Sequence, residues 1–328
     1  MNDRSKADRL NWVNCALMTA SAAIAAIAPV HLFLIVYAVL GPLHYLTEIS
    51  WLHDRQYFTP ARPMRRLWLT IVAAATIAIV FGFVSSDLLG RPVAPSFEIG
   101  LVYLAFMLAG AALFIKRLAN GVALTIGALI LLAMMAGHRS YAILAYLLIT
   151  MIHVFVFTAC FVLFGALKSG SRSGVISLGV FIACALALLV TPAPMIATSP
   201  PVRALYADFE QLNGVLAHLF GGRVTDAAIM RLIAFAYTYH YLNWFSKTSI
   251  IRWHEVPRTR AVAIVALWLG GMALYAINYQ HGFAAFYVLS VLHVLLEFPL
   301  NHQTFVGIAR ALRPRVAEKA TPLRPRQA

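Results

Sequence analysis

Charged residues are scarce in this chain. Only 12% of its 328 residues are Asp, Glu, Lys or Arg, against roughly a quarter in an ordinary soluble domain, whereas 61% are hydrophobic. Apolar runs of about 20 residues recur from one end of the sequence to the other, without the alternating pattern of a membrane β-barrel. The sequence therefore predicts an all-α, polytopic transmembrane helix bundle without a separate soluble domain.

Acidic residues and cysteines are the rarest of the functional side chains. The 12 Asp and Glu stand against 26 Lys and Arg, which gives a formal net charge of +14. The basic residues form short clusters between apolar runs, so they indicate membrane topology and not nucleic-acid binding. The three cysteines, Cys15, Cys160 and Cys184, lie in apolar segments without CxxC spacing, and we expect them to be reduced.

The apolar runs predict about ten membrane spans. They cover approximately residues 11–28, 31–52, 66–86, 97–115, 119–137, 140–167, 173–192, 226–250, 260–279 and 282–308. With this arrangement all Lys and Arg but five fall on one side of the membrane. The five exceptions are Arg91, Arg139, Arg203, Arg223 and Arg231. Because positive charge marks the cytoplasmic side, we predict that both termini are cytoplasmic.

The predicted spans form one transmembrane helical domain, residues 1–310. Its longest connection, residues 193–225, lies on the outer side and contains apolar residues at helical spacing, which favours an amphipathic helix on the membrane surface. These apolar residues are Leu205, Phe209, Leu212, Leu216 and Leu219. Residues 311–328 are basic and contain proline, and we expect a disordered cytoplasmic tail there.

Four histidines, His44, His153, His240 and His293, lie inside membrane-length apolar segments. In the predicted topology their helices run in the same direction, which puts all four within roughly 5 Å of one another in depth. A buried imidazole must hydrogen-bond, bind a metal or face water, because an unpaired polar group in hydrocarbon is costly. Four imidazoles at one depth favour a shared metal or cofactor site over four separate structural histidines.

Two glutamates accompany these histidines. Glu48 follows His44 by four residues, and Glu297 follows His293 by four, so each pair shares one face of its helix. The glutamates would either orient the ligating imidazoles or bind the metal themselves. The first arrangement suits mononuclear iron with four histidine ligands, and the second favours a dinuclear carboxylate site.

The four histidine stretches, taken in order, resemble the motifs of the Brp/Blh-type bacterial membrane β-carotene 15,15′-dioxygenases. The stretches are PLHYLTE at 42–48, IHVF at 152–155, FAYTYH at 235–240 and LHV at 292–294. Two positions depart from the family pattern, which has an aspartate in place of Glu48 and a second histidine in place of Trp244. Either His293 completes a four-histidine site, or the chain binds metal differently or not at all.

The resemblance implies a non-haem iron oxygenase in a bacterial inner membrane. It would cleave a carotenoid, or another long apolar substrate, with dioxygen to give an aldehyde, and the substrate would enter sideways from the surrounding lipids. Fe(II) would be held by His44, His153, His240 and His293. Glu48 and Glu297 would be the catalytic carboxylates that orient these ligands.

Two other interpretations remain open at this point. The first is a di-iron lipid hydroxylase that uses both glutamates, although the HxxxH and HxxHH boxes typical of such enzymes are absent from the sequence. The second is a non-enzymatic transporter or a haem- or quinone-binding membrane protein, because transmembrane histidines also relay protons and ligate haem.

Overall fold

The computed structural model describes residues 3–89, 96–135, 147–191, 195–206, 210–219 and 221–313, and every regular element within these ranges is helical. A π-helix, Leu148–Phe157, runs directly into the sixth α-helix. The α-helices are α1 (Asp3–Ile27), α2 (Pro29–Asp54), α3 (Arg62–Leu89), α4 (Ser96–Ala111), α5 (Leu118–Met135), α6 (Thr158–Ser169), α7 (Arg172–Val190), α8 (Pro200–Tyr206), α9 (Glu210–Leu219), α10 (Asp226–Ser246), α11 (Thr248–Ile251), α12 (Arg258–Ile277) and α13 (Tyr279–Leu312).

Among the described residues, seven helices are long and apolar enough to cross a membrane, consistent with an integral membrane protein. They are α1, α2, α3, α7, α12, α13 and the continuous helix that the π-helix forms with α6. Two further helices, α4 and α5, are apolar but shorter. The count of about ten spans and the cytoplasmic position of both termini stay predictions.

Helix α10 lies in the interior of the bundle, although it is not one of these seven. Its tyrosines, His240 and Asn243 lower its hydropathy, yet most of its side chains are buried. These polar groups find partners on other helices. Tyr239 donates a hydrogen bond to Asn14 of α1, and Arg231 donates to backbone carbonyl groups of α1 and of the residue that follows α7. Helix α10 can therefore be polar within a membrane protein because neighbouring helices, and not lipid, surround it.

Four helical segments form a closed ring in the middle of the bundle. Helix α2 packs against α10 and α13, and the π-helix packs against the same two helices. One apolar core joins this ring to α1 and α7, and a second core joins it to α3 and α4. The π-helix contributes Val154 to the first core and Phe157 to the second. The ring therefore lies between two packed layers that fix its position.

The π-helix Leu148–Phe157 has His153 near its middle. The sequence predicts one uninterrupted span over residues 140–167, of which residues 140–146 lie outside the described part of the chain. In a π-helix each N–H group bonds to the carbonyl group five residues earlier, and such turns are frequent at functional sites. The wider turn changes which side chains lie on the same face as His153. The period of 3.6 residues per turn therefore does not predict the neighbours of His153 on this segment.

The connection between α7 and α10 contains the short helices α8 and α9, in the stretch for which the sequence predicts an amphipathic helix. The Tyr206 hydroxyl, at the end of α8, donates a hydrogen bond to Asn213 of α9. Leu216 is buried, whereas Leu219 is 55% exposed. Phe209 and the tail from residue 314 onward lie outside the described residues, and the position of this connection on the membrane surface stays a prediction.

Candidate metal centre

The four ring segments carry one histidine each into the same interior layer. His44 lies on α2, His153 on the π-helix, His240 on α10 and His293 on α13, and all four are at most 6% exposed. Around the ring, the distances between neighbouring imidazole centroids are 4.8, 4.8, 5.0 and 5.3 Å. The structure thus brings together the four side chains that the sequence places at one depth.

The ring nitrogens of these histidines form two close pairs. Nε2 of His44 lies 3.1 Å from Nε2 of His240, and Nε2 of His153 lies 3.2 Å from Nε2 of His293. His44, His240 and His293 also form a group whose ligand nitrogens all lie within 4.8 Å of one another. Three of the four histidines therefore offer ligand nitrogens to one small region, and His153 lies outside this group but in contact with His293.

Both predicted glutamates are buried beside the histidines, Glu48 at 2% exposure and Glu297 at 3%. Oε2 of Glu48 lies 3.1 Å from Nε2 of His44, the partner expected from its position one helical turn earlier. Oε2 of Glu297, in contrast, lies 3.2 Å from Nδ1 of His153, on a different segment of the ring. The sequence pairs Glu297 with His293 on one helix face, but its close contact is made across the ring.

Two polar side chains that the sequence does not single out support this layer. The Thr158 hydroxyl lies 2.9 Å from Nδ1 of His240, a hydrogen bond that fixes the orientation of this imidazole. The indole N–H of Trp244 donates to the Thr47 hydroxyl at 3.1 Å. Trp244 therefore serves as a hydrogen-bond donor beside the histidine layer. No sequence pattern points to Thr158, because its contact with His240 depends on how the segment that carries Thr158 packs against α10.

An aromatic ring covers one side of the histidine layer. Tyr45 stacks on His293 with the ring centroids 4.2 Å apart, and its hydroxyl is hydrogen-bonded to that of Tyr241 at 2.5 Å. Both tyrosines are at most 1% exposed. These contacts hold the His293 imidazole in one orientation and shield it from lipid and water.

The separations within the two nitrogen pairs are those of a hydrogen bond between two imidazoles and also those of neighbouring ligands of one metal ion. Two ligands about 2.1 Å from one ion, at tetrahedral or octahedral angles, are about 3.0 to 3.4 Å apart, and both nitrogen pairs fall in this interval. Among the described residues, Nδ1 of His44, His153 and His293 and Oε2 of Glu297 have no hydrogen-bond partner. Buried polar atoms without partners are rare in folded proteins, so this cluster has unused capacity to bind a ligand.

An apolar groove of about 1110 Å³ runs between α2, α3, α12 and α13. Three of its lining residues, Pro42, Leu46 and Leu292, are within two positions of a ring histidine, so the groove reaches the level of the histidine layer. Its polar lining residues are Gln280 and His281, at the start of α13. The groove therefore extends from one end of a membrane-length helix toward the centre of the bundle.

Comparison with protein-family models, curated proteins and solved structures finds no match to this chain.

Proposed function

We propose that the chain is a membrane-embedded non-haem iron oxygenase that acts on a long apolar substrate. The observation that carries this proposal is the closed ring of four buried imidazoles, with two buried carboxyl groups in contact with it. Nitrogen and oxygen donors of this kind suit non-haem iron. His44, His153, His240 and His293 would hold Fe(II), which would supply the activation of dioxygen.

The spacing of the imidazoles favours a metal ion over a haem. A haem between two histidines needs a flat slot that separates their nitrogens and accommodates the macrocycle. Here the nitrogen pairs are separated by only 3.1 and 3.2 Å, and the four rings are in mutual contact. Ligands of a single metal ion are separated by about these distances, which supports a metal ion over a haem.

In this proposal the protein's side chains bind the metal and orient its ligands. The imidazoles hold the metal, Glu48 and Glu297 fix the ligand set, and Thr158 and Tyr45 hold individual imidazoles in place. The tightly packed cores on either side of the ring exclude water from the reaction.

The groove supports an apolar substrate. Most of its wall is hydrocarbon, and α3 and α12 expose apolar side chains such as Val84 and Leu267 beside it. A lipid-soluble substrate could therefore enter from the bilayer without crossing a polar surface. A carotenoid cleaved oxidatively to an aldehyde is the reaction that the sequence resemblance implies, in a bacterial inner membrane with its lipids as neighbours.

Co-expression in a carotene-producing bacterium tests the proposal. Cells that make the protein should lose carotene and accumulate retinal, whereas cells that make a His153→Ala variant at equal level should keep their colour. Retention of carotene by cells whose purified protein contains iron would rule out this substrate. A Soret band in the purified protein would rule out the non-haem centre.

A further inference from the structure

The apolar groove follows one face of α13 from the start of this helix to the level of the histidine layer. Several of its lining residues recur every three or four positions along α13, and they are His281, Ala284, Ala285, Val288, Leu289 and Leu292. Residues at this spacing lie on one face of a helix. The groove is therefore elongated along α13, and about 11 residues at 1.5 Å each give it a length of about 16 Å.

The two ends of this groove differ in polarity. Gln280 and His281, both exposed, line it at the start of α13. At the other end, Leu46 and Leu292 each lie within two positions of a ring histidine. None of the described residues that line the groove is Lys, Arg, Asp or Glu. The groove therefore runs from a hydrogen-bonding end to a hydrocarbon end beside the histidine layer.

We infer that the groove binds its substrate in one direction, and that the substrate is a long apolar molecule with a hydroxyl or carbonyl group at one end. The end group contacts Gln280 and His281, and the bond that reacts lies about 16 Å away, at the level of Leu292. This substrate class rests on the proposed function and narrows it, because it adds a polar end group and a distance from that group to the reacting bond.

The side chains at the polar end match a neutral group. An amide such as that of Gln280 both donates and accepts hydrogen bonds, and a neutral imidazole such as that of His281 does the same. A hydroxyl or carbonyl group is complementary to both. A phosphate or carboxylate would favour Lys or Arg, which the described lining lacks. The groove therefore fits a neutral end group better than the charged headgroup of a phospholipid.

The polar end group also fixes the direction of binding. In the opposite direction it would lie among Leu46, Val288 and Leu292, where no lining side chain can form a hydrogen bond with it. A polar group that loses its hydrogen bonds to water in this way is unfavourable. With the end group at Gln280, only hydrocarbon lies against the hydrocarbon wall. The distance from the end group therefore selects the bond that reaches the histidine layer.

Small residues leave room for such a molecule. Gly270 of α12 faces the groove, and a Cβ atom there would meet nothing within 4 Å. Ala284 and Ala285 line the groove on α13. The volume of about 1110 Å³ lies at the upper end of the usual range for small-molecule sites, about 300 to 1,000 Å³. The groove can therefore hold a large apolar molecule along its length.

Photo-crosslinking tests the direction of binding and does not require the metal. Wild-type protein is reconstituted in phosphatidylcholine nanodiscs with one of two long-chain alcohols. The first carries a diazirine close to its hydroxyl group, and the second carries it about 13 carbons away, which corresponds to the length of the groove. Mass spectrometry should find the first probe on residues near Gln280 and the second on residues near Leu292. Equal or reversed labelling patterns would overturn the inference.

A double variant, Gln280→Leu with His281→Leu, tests the polar end itself. It should bind the alcohols about 2- to 10-fold more weakly, and both probes should label residues along the whole groove. His254→Leu is the control, because His254 is also exposed but does not line the groove, and it should keep the wild-type pattern. Unchanged labelling in the double variant would show that hydrocarbon contacts alone hold the probe, and would overturn the inference.

The same preparations separate a failure of this inference from a failure of the proposed function. Iron content is measured on the wild-type protein before the probes are added. Protein that contains iron but is not labelled in the groove would overturn the groove as the substrate site and leave the metal centre standing. Ordered labelling in protein that does not bind iron would support the directional groove and contradict the oxygenase.

Discussion

Nε2 of His44 lies 3.1 Å from Nε2 of His240, although 196 residues separate the two histidines in the sequence. The other close pair, His153 and His293, spans 140 residues. Each pair joins segments that approach only when the helical bundle is complete. The centre is therefore a product of tertiary structure, and a ligand that bridges it should stabilise the whole bundle.

Metal should raise the melting temperature of the detergent-solubilised protein. At a free metal concentration 100 times the dissociation constant, binding stabilises the folded state by about 2.7 kcal/mol, which corresponds to a rise of several degrees. His44→Ala should abolish this rise. His53→Ala is the matched control, since the His53 side chain is 59% exposed and lies outside the histidine layer, and it should keep the full rise. An equal loss in both variants would contradict a specific site.

Removal of the Thr158 hydroxyl should weaken metal binding without unfolding the protein. Thr158→Val keeps the shape of the side chain but removes the partner of His240 Nδ1. Loss of such an orienting contact typically weakens metal binding about 10- to 100-fold. Thr158→Ser retains the hydroxyl and should bind nearly as well as wild type in a metal titration. If Thr158→Ser is as weak as Thr158→Val, packing and not the hydrogen bond explains the loss.

The sequence predicts much of the fold and the members of the centre, because hydropathy marks helices and a fixed rise per residue gives depth. Depth does not identify which helices are neighbours. For this reason the contact of Glu297 with His153, across the ring, does not follow from its four-residue spacing to His293. The π-helix around His153 likewise departs from the ordinary helical period on which the sequence prediction depends. The role of the histidines as metal ligands stays a prediction.

The close contact between α12 and α13 should depend on Gly282. A Cβ atom at this position would lie 2.2 Å from the Cα atom of Tyr275 and 2.6 Å from its backbone nitrogen, so the two helices would have to separate. Gly282→Ala should therefore destabilise the protein by about 1 to 3 kcal/mol. Gly179→Ala on α7 is the control, because its Cβ would meet nothing within 4 Å. Thermal unfolding of both variants checks the prediction, and equal melting temperatures would contradict it.

A bulky side chain at Gly270 should block the groove while leaving the metal centre intact. Gly270 lines the groove, and a Cβ atom there would meet nothing within 4 Å, so a phenylalanine ring can extend into open space. Gly270→Phe should reduce product formation in the co-expressing cells, because the added ring fills part of the groove that the apolar substrate would occupy. The iron content should stay unchanged.

The matched control for this experiment is Gly127→Phe on α5. It also faces open space but is not part of the groove lining, so both product yield and iron content should stay at the wild-type level. Unchanged product in Gly270→Phe would show that the substrate reaches the centre by another route. Loss of iron in Gly270→Phe would show that the groove and the histidine layer are mechanically coupled, because the metal site would then respond to a change confined to the wall formed by α12.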